Sequence, residues 1–189
     1  VFLFSLHSIK YLAAKYNLQL IDAIHQETHG GSMRYYIGHQ NIYKPKKIVS
    51  RFILNEKKLG IDNSTNFKKF ETNIKKSKEQ LIKLLKKLKK QGKSIAGYAA
   101  TSKSTTILNY CKIGVDLIDY ISDTTLYKQN KFSPGSHIPI KSYDYFKKNT
   151  PDYAILFAWN HSNEIMKKEK IFKKNGGKWI VFVPKVQVI

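Results

Sequence analysis

The sequence predicts an α/β fold in which a mainly parallel, Rossmann-like sheet carries helices on both faces. Strand and helix patterns alternate from residue 93 onward, and an apolar strand at Ile95 passes through small residues into a helix. Of the 189 residues, 42% are apolar, which is enough to fill a core. Alternating strands and helices assemble into parallel sheets. We therefore expect a Rossmann-like domain over residues 93–189, preceded by a long helix and by a helix with a hairpin.

The first 40 residues predict one helix and two strands. Ser5 is typical of a helix N-cap, and an apolar stripe runs from it to Asn17. Strands are expected over residues 18–25 and 32–38, on either side of a glycine-rich turn. Because one hairpin cannot bury both of its faces, we interpret residues 1–40 as the end of a larger sheet.

Residues 41–92 predict a connecting arm and a long helix. The segment from Asn41 to Asn63 contains Pro45 and many charges, so we expect at most a short helix there. From Ser64 to Lys90, apolar residues recur three and four apart among lysines. Such spacing fits a coiled coil, or a helix that docks on its own domain or crosses between two domains. The coiled coil is disfavoured because only about three heptads are present.

The third region, residues 93–189, supplies the predicted sheet. We expect strands over Ile95–Ala100, Leu117–Ser122, Tyr153–Ala158 and Trp179–Val183, and helices over Thr105–Lys112, Tyr143–Lys148 and Ser162–Lys174. Ligands of open α/β sheets bind beyond the carboxyl ends of the strands. The loops that follow three of these strands, over residues 98–103, 123–137 and 159–163, should therefore meet at one edge.

The turn after the first of these strands has the composition of an anion site. Free amides at a helix start attract phosphate, Thr101 or Ser102 can cap them or donate to an anion, and Lys103 adds a full charge. A plain turn, in which Thr101 or Ser102 only caps the helix, fits the local sequence as well. Neither the dinucleotide-binding glycine pattern nor P-loop spacing is present.

The two other loops carry weaker signals. Asp123 follows a strand and could bind a ribose hydroxyl. The turn from Ser133 to His137 could hold phosphate or shape the loop. Trp159 is predicted to pack and Asn160 to cap a helix.

Composition excludes several other functions. The net charge is +21, but only Arg34 and Arg51 among the 34 basic residues are arginines, which favours solvated lysine faces over nucleic-acid recognition. Cys111 is the single cysteine, so we expect a core position, no internal disulfide and the reducing cytoplasm. The histidines lack metal-ligand spacing, and no apolar run reaches the roughly 20 residues that span a bilayer. We expect no metal and no membrane partner.

Five groups of residues, in this order, resemble the C-terminal part of the S-adenosylmethionine-dependent sugar C-methyltransferases. They are His29-Gly30-Gly31-Ser32-Met33-Arg34; Gly97-Tyr98-Ala99-Ala100-Thr101-Ser102-Lys103 with Leu108-Asn109-Tyr110; Tyr127-Lys128-Gln129 with Pro134-Gly135-Ser136-His137-Ile138-Pro139; Pro151-Asp152-Tyr153 with Ala158-Trp159-Asn160; and Gly176-Gly177-Lys178. These groups are spread from residue 29 to residue 178, and the resemblance covers nearly the whole chain.

The resemblance implies the nucleotide-sugar-binding portion of an enzyme that methylates a carbon of a nucleotide-linked keto-sugar. It implies a catalytic role for His29. Substrate contacts are implied for Ser32, Arg34, Tyr98, Thr101, Ser102, Lys103, Asn109, Tyr110 and His137. A zinc-binding module and a central methyltransferase domain would complete the enzyme, and residues 1–40 would be the C-terminal helix and strand pair of that central domain. S-adenosylmethionine would serve the full-length protein, with none expected on this fragment, which we expect to be inactive alone.

Two other functions stay open at this stage. One is a free-standing nucleotide-binding enzyme such as an oxidoreductase or epimerase, which the missing glycine pattern disfavours. The other is a basic scaffold that binds a polyanion through the helix of residues 68–93, with a steep dependence on salt.

Overall fold

The computed structural model describes residues 3–189, apart from the side chain of His29. The chain divides into two compact units, Val1–Thr72 and Asn73–Ile189. The predicted domain boundaries at residues 40 and 92 stay predictions. Across the described residues, no helix is long and apolar enough to cross a membrane, and no cluster of His, Cys, Asp and Glu could hold a metal ion.

The first unit begins with the predicted helix and hairpin. Its elements are α1 (Leu6–Ala14), β1 (Leu18–Gln26), β2 (Ser32–His39) and α2 (Lys47–Leu59). The hydroxyl of Ser5 accepts a hydrogen bond of 3.1 Å from the amide of Ser8, so the predicted N-cap is confirmed. The strands pair antiparallel. Leu6, Leu20, Ala23 and Val49 form a small core between the hairpin and the two helices.

The expectation of a connecting arm with at most a short helix was wrong, because α2 has 13 residues. Val49 enters the core of the first unit, and Phe52 and Ile53 pack beside it. The carboxylate of Glu56 accepts hydrogen bonds from the amides of Leu6 at 2.7 Å and His7 at 2.9 Å, which satisfies the open N-terminus of α1. Tertiary packing thus stabilises α2, whose many charged residues made a long helix hard to predict from the sequence.

The long helix α3 spans Ser64–Lys90 as predicted. In the second unit, Leu81, Leu85 and Leu88 are buried against the sheet, while the intervening lysines lie mostly outside the core. The docked-helix interpretation is confirmed for this half of the helix.

A six-stranded sheet forms the centre of the second unit. Its strands are β3 (Ile95–Tyr98), β4 (Tyr120–Ser122), β5 (Ile140–Lys141), β6 (Tyr153–Leu156), β7 (Lys178–Val181) and β8 (Gln187–Val188). Their order is β5-β4-β3-β6-β7-β8, and all pairs are parallel except β7 with β8. The predicted Rossmann-like sheet is confirmed, with the short strands β5 and β8 in addition.

Helices cover both faces of this sheet. The remaining helices are α4 (Ser102–Cys111), α5 (Tyr143–Lys148), α6 (Ser162–Lys168) and α7 (Lys170–Lys174). Helices α3 and α4 pack on one face, where Leu108 and Cys111 are buried. Helices α5 to α7 pack on the other face through residues such as Phe146 and Phe172. The predicted core position of Cys111 is confirmed.

We expect Leu85→Ala to destabilise the second unit by about 2–5 kcal/mol, since it would leave a cavity at a fully buried position of α3. Urea unfolding followed by tryptophan fluorescence isolates this effect, because both tryptophans, Trp159 and Trp179, lie in the second unit. Leu126→Ala is the matched control, because Leu126 is 82% exposed and its loss should change the free energy of unfolding by less than about 0.5 kcal/mol. Equal losses in the two variants would contradict the packing of α3.

Candidate functional site

In the sheet of the second unit, the chain adds strands first on one side of β3 and then on the other. Strand β3 pairs with β4 on one side and with β6 on the other. The connections after β3 and after β6 therefore leave the sheet towards opposite sides and open a crevice between them. Ligands of open α/β sheets bind at this position. The loops expected to meet there do so.

The turn that follows β3 is tighter than predicted. The strand ends at Tyr98 instead of Ala100, because Ala99 adopts a positive φ of 73°. The amide of Ala99 donates to the carbonyl of Ser122 at 2.8 Å, and the amide of Thr101 donates to the carbonyl of Ala99 at 3.1 Å. Helix α4 can therefore begin at Ser102, three residues earlier than predicted.

In the first turn of α4, one backbone amide is capped by a side chain and two amides are unpaired within the described chain. The hydroxyl of Thr101 accepts from the amide of Ser104 at 3.1 Å, so Thr101 is the N-cap. Within residues 3–189, the amides of Ser102 and Lys103 have no acceptor. Unpaired amides and the helix dipole give this end a partial positive charge.

Lys103 joins α4 to the loop after β6. Its ammonium group donates to Oδ1 of Asn160 at 2.7 Å and lies 4.9 Å from the ring centroid of Trp159. The Trp159 ring packs in turn on Phe182, at a centroid distance of 5.2 Å. The predicted packing role of Trp159 is therefore confirmed. The prediction that Asn160 caps a helix was wrong, because Asn160 lies inside a single turn that precedes α6 and its side chain accepts from Lys103 instead.

Asp123 joins the loops after β3 and β4. Its carboxylate accepts from the amide of Ala100 at 2.7 Å and from the amide of Thr125 at 2.8 Å. Lys128 donates to the carbonyl of Ala100 at 2.8 Å and lies 3.6 Å from the same carboxylate. Asp123 thus fixes the backbone of the turn, and the predicted ribose contact stays a prediction.

A cavity of about 340 Å³ opens beside the first turn of α4. We call it the basic cavity, because Lys128 and Lys131 line it. Its aromatic rings, Tyr127 and Phe132, are 70% and 64% exposed. The remaining lining residues are Ala100, Thr101, Ser102, Ser104, Thr105, Ser133, Pro134 and Ile140. This surface combines positive charge, hydroxyls and flat apolar rings.

A second cavity of about 360 Å³ lies on the other side of the turn, on the sheet face that α5 to α7 cover. We call it the polar cavity. Its lining residues are Tyr98, Ala99, Ser122, Asp123, Thr124, Tyr143, His161, Glu164, Ile165 and Lys168. Both signs of charge occur in it.

A buried carboxylate forms the floor below the polar cavity. Glu169, 4% exposed, accepts from the hydroxyls of Tyr98 at 2.8 Å and Tyr143 at 3.1 Å. Burial and the hydrogen bond to Glu169 raise the pKa of Tyr98, and they raise the pKa of Tyr143 to about 12. The predicted single helix over Ser162–Lys174 was wrong, because the chain breaks at Glu169 to form this cluster.

Four predicted site residues of the second unit line neither cavity: Lys103, Asn109, Tyr110 and His137. Asn109 donates to the carbonyl of Pro134 at 3.0 Å, and the ring of Tyr110 lies 4.6 Å from the ammonium of Lys78. His137 is exposed on its turn. The structure therefore does not bring Asn109, Tyr110 or His137 to the first turn of α4, and their substrate contacts stay predictions.

The other predicted residues belong to the first unit. Ser32 and Arg34 are exposed on β2, opposite Gln26 and Ile24 in the register of the hairpin. The side chain of His29 lies outside the described residues. The roles of these three residues stay predictions.

The strand order, the covered faces and the crevice define the class of Rossmann-like α/β domains. Residues 27–184 match the C-methyltransferase C-terminal domain family, and the chain belongs to this family. It is 34% identical over 187 residues to the C-methyltransferase NovU of Streptomyces niveus. The match covers 98% of this chain and 44% of that relative, so the chain spans less than half of its length. The predicted family resemblance is confirmed.

The tyrosine–glutamate cluster predicts a loss of stability at high pH. The unfolded chain releases the Tyr143 proton near pH 10, whereas the folded chain holds it to about pH 12. The unfolded state therefore binds fewer protons in this window, and stability falls as pH rises from about 10 to 12. Urea unfolding between pH 9 and 11.5 should show a shallower decline for Tyr143→Phe than for wild type. Tyr127→Phe is the exposed control, and equal slopes in wild type and Tyr143→Phe would contradict the assignment.

Proposed function

We propose that this chain is the nucleotide-sugar-binding portion of an S-adenosylmethionine-dependent C-methyltransferase that acts on a nucleotide-linked keto-sugar. One observation carries the proposal: the open N-terminus of α4 faces the ligand-binding edge of the sheet beside the basic cavity. Membership of the C-methyltransferase C-terminal domain family supports the enzyme class.

The diphosphate group binds at the first turn of α4. The amides of Ser102 and Lys103 provide unpaired donors, and the exposed Ser102 hydroxyl provides another. After its hydrogen bond to Asn160, the Lys103 ammonium still has two N–H groups to donate. The ammonium of Lys128 lies 3.6 Å from the Asp123 carboxylate and offsets its negative charge. The Asp123 carboxylate therefore repels an anion at the start of α4 less strongly.

The basic cavity has the surface that a nucleobase requires. Aromatic rings stack on the face of any base, and Tyr127 and Phe132 present largely exposed rings at the cavity wall. A volume of about 340 Å³ falls within the range of small-molecule sites, about 300–1,000 Å³. Lys131, on the same wall, adds positive charge for the phosphates.

The rest of the reaction belongs to other parts of the protein. S-adenosylmethionine supplies the transferred methyl group, and we assign no residue of this chain to its binding. The 44% coverage of a C-methyltransferase relative supports partner domains elsewhere in the full-length protein. His29 is proposed near the sugar, and Ser32 and Arg34 as contacts to sugar or diphosphate. We propose the cytoplasm as the compartment and expect no methyl transfer by this chain alone.

Lys103→Ala should weaken the binding of nucleoside diphosphates about tenfold or more, because it removes a charged donor to phosphate. Isothermal titration calorimetry with UDP, dTDP and GDP measures the effect. Lys112→Ala is the matched control, since it removes the same charge at the other end of the same helix and should leave affinity within about twofold. Unchanged affinity in Lys103→Ala, or equal losses in both variants, would contradict the phosphate site.

A further inference from the structure

The polar cavity is lined by a serine whose hydroxyl has no hydrogen-bonding partner among the described residues. Ser122 is the last residue of β4 and is 3% exposed. It pairs with Tyr98 in the sheet, so both side chains point to the face that carries the polar cavity. In the described part of the chain, no group hydrogen-bonds to the Ser122 hydroxyl. Among the described residues no buried side-chain N or O atom lacks a partner, so the Ser122 oxygen faces the open space of the cavity, where a ligand or water can bond to it.

The groups around this hydroxyl match a ligand that both donates and accepts hydrogen bonds. Asp123 and Glu164 offer carboxylate acceptors, and Thr124 offers a hydroxyl. Lys168 offers a donor, since its ammonium contacts only the Tyr143 ring, at 4.8 Å from the centroid, among the described residues. The carboxylates of Asp123 and Glu164 would repel a simple anion, and the ammonium of Lys168 would repel a simple cation. Hydroxyl groups, being neutral donors and acceptors, suit every one of these partners.

The two cavities adjoin the same turn from opposite sides. Ala99 lines the polar cavity, and the next residue, Ala100, lines the basic cavity. A ligand whose phosphates lie at this turn can therefore place one ring in each cavity. The aromatic rings of the basic cavity suit a base, which leaves a hydroxylated ring for the polar cavity.

We propose that the polar cavity binds a hydroxylated sugar ring of the nucleotide-sugar, with the Ser122 hydroxyl as a direct hydrogen-bonding partner. This inference rests on the proposed function. With the base in the basic cavity and the diphosphate at the turn between the cavities, the ring that reaches the polar cavity is the hexose, because the ribose is bonded directly to the base. A cavity of about 360 Å³ has room for one such ring with some water.

Ser122→Ala tests the proposal on the full chain by calorimetric titration with UDP, UDP-glucose, dTDP and dTDP-glucose. Loss of one hydrogen bond should weaken binding about three- to tenfold. We expect a loss confined to the hexose-bearing ligands, whereas an equal loss with UDP and UDP-glucose would contradict the placement of the hexose in the polar cavity. Ser50→Ala, an exposed serine on α2, is the matched control and should not change affinity.

Unchanged affinity of Ser122→Ala for every ligand that wild type binds would overturn this inference alone. If wild type binds none of the four ligands, the proposed function fails, and the inference fails with it. Thermal unfolding checks that Ser122→Ala is folded. Ser122→Cys, which nearly preserves volume and replaces the hydroxyl by a weak donor, should show a similar loss, whereas full affinity in this variant would contradict the hydrogen bond.

Discussion

The position of β3 between β4 and β6 is the constraint on which the second unit depends. All four residues of β3 are buried, and Gly97 permits the close approach of its neighbours, since a Cβ there would lie 2.7 Å from Phe157 and 3.0 Å from Ile121. Parallel pairing on both sides directs the next connections to opposite faces. The crevice at the end of β3, the open start of α4 and both cavities follow from this arrangement.

Elements with a strong period or a defined cap were predictable from the sequence. Ser5 and Thr101 begin helices because their hydroxyls accept from amides three residues later. The apolar stripe of α3 predicted the residues that enter the core. The prediction failed for α2, where packing of Val49 overrides the local charge pattern. It also failed at Glu169, where the helical period continues but the buried carboxylate interrupts the helix.

The residue types at the site were predictable from the sequence, but the long-range hydrogen bonds between them were not. Thr101, Ser102 and Lys103 are neighbours in the sequence, and their local chemistry indicates an anion. The partners that shape the site are distant: Asn160 is 57 residues from Lys103, and Glu169 is 71 residues from Tyr98. Such pairs depend on the sheet order, which no local pattern specifies. The unpartnered Ser122 hydroxyl likewise becomes visible only when the strands are assembled.

The central claim is that phosphate binds the open amides at the start of α4. Amide chemical shifts from nuclear magnetic resonance, recorded on the isotope-labelled chain during a titration with UDP or dTDP, test it most directly. We predict that the amide signals of Ser102 and Lys103 move most, because an acceptor arrives where none exists in the described chain. Large shifts elsewhere with these two signals unchanged would contradict it.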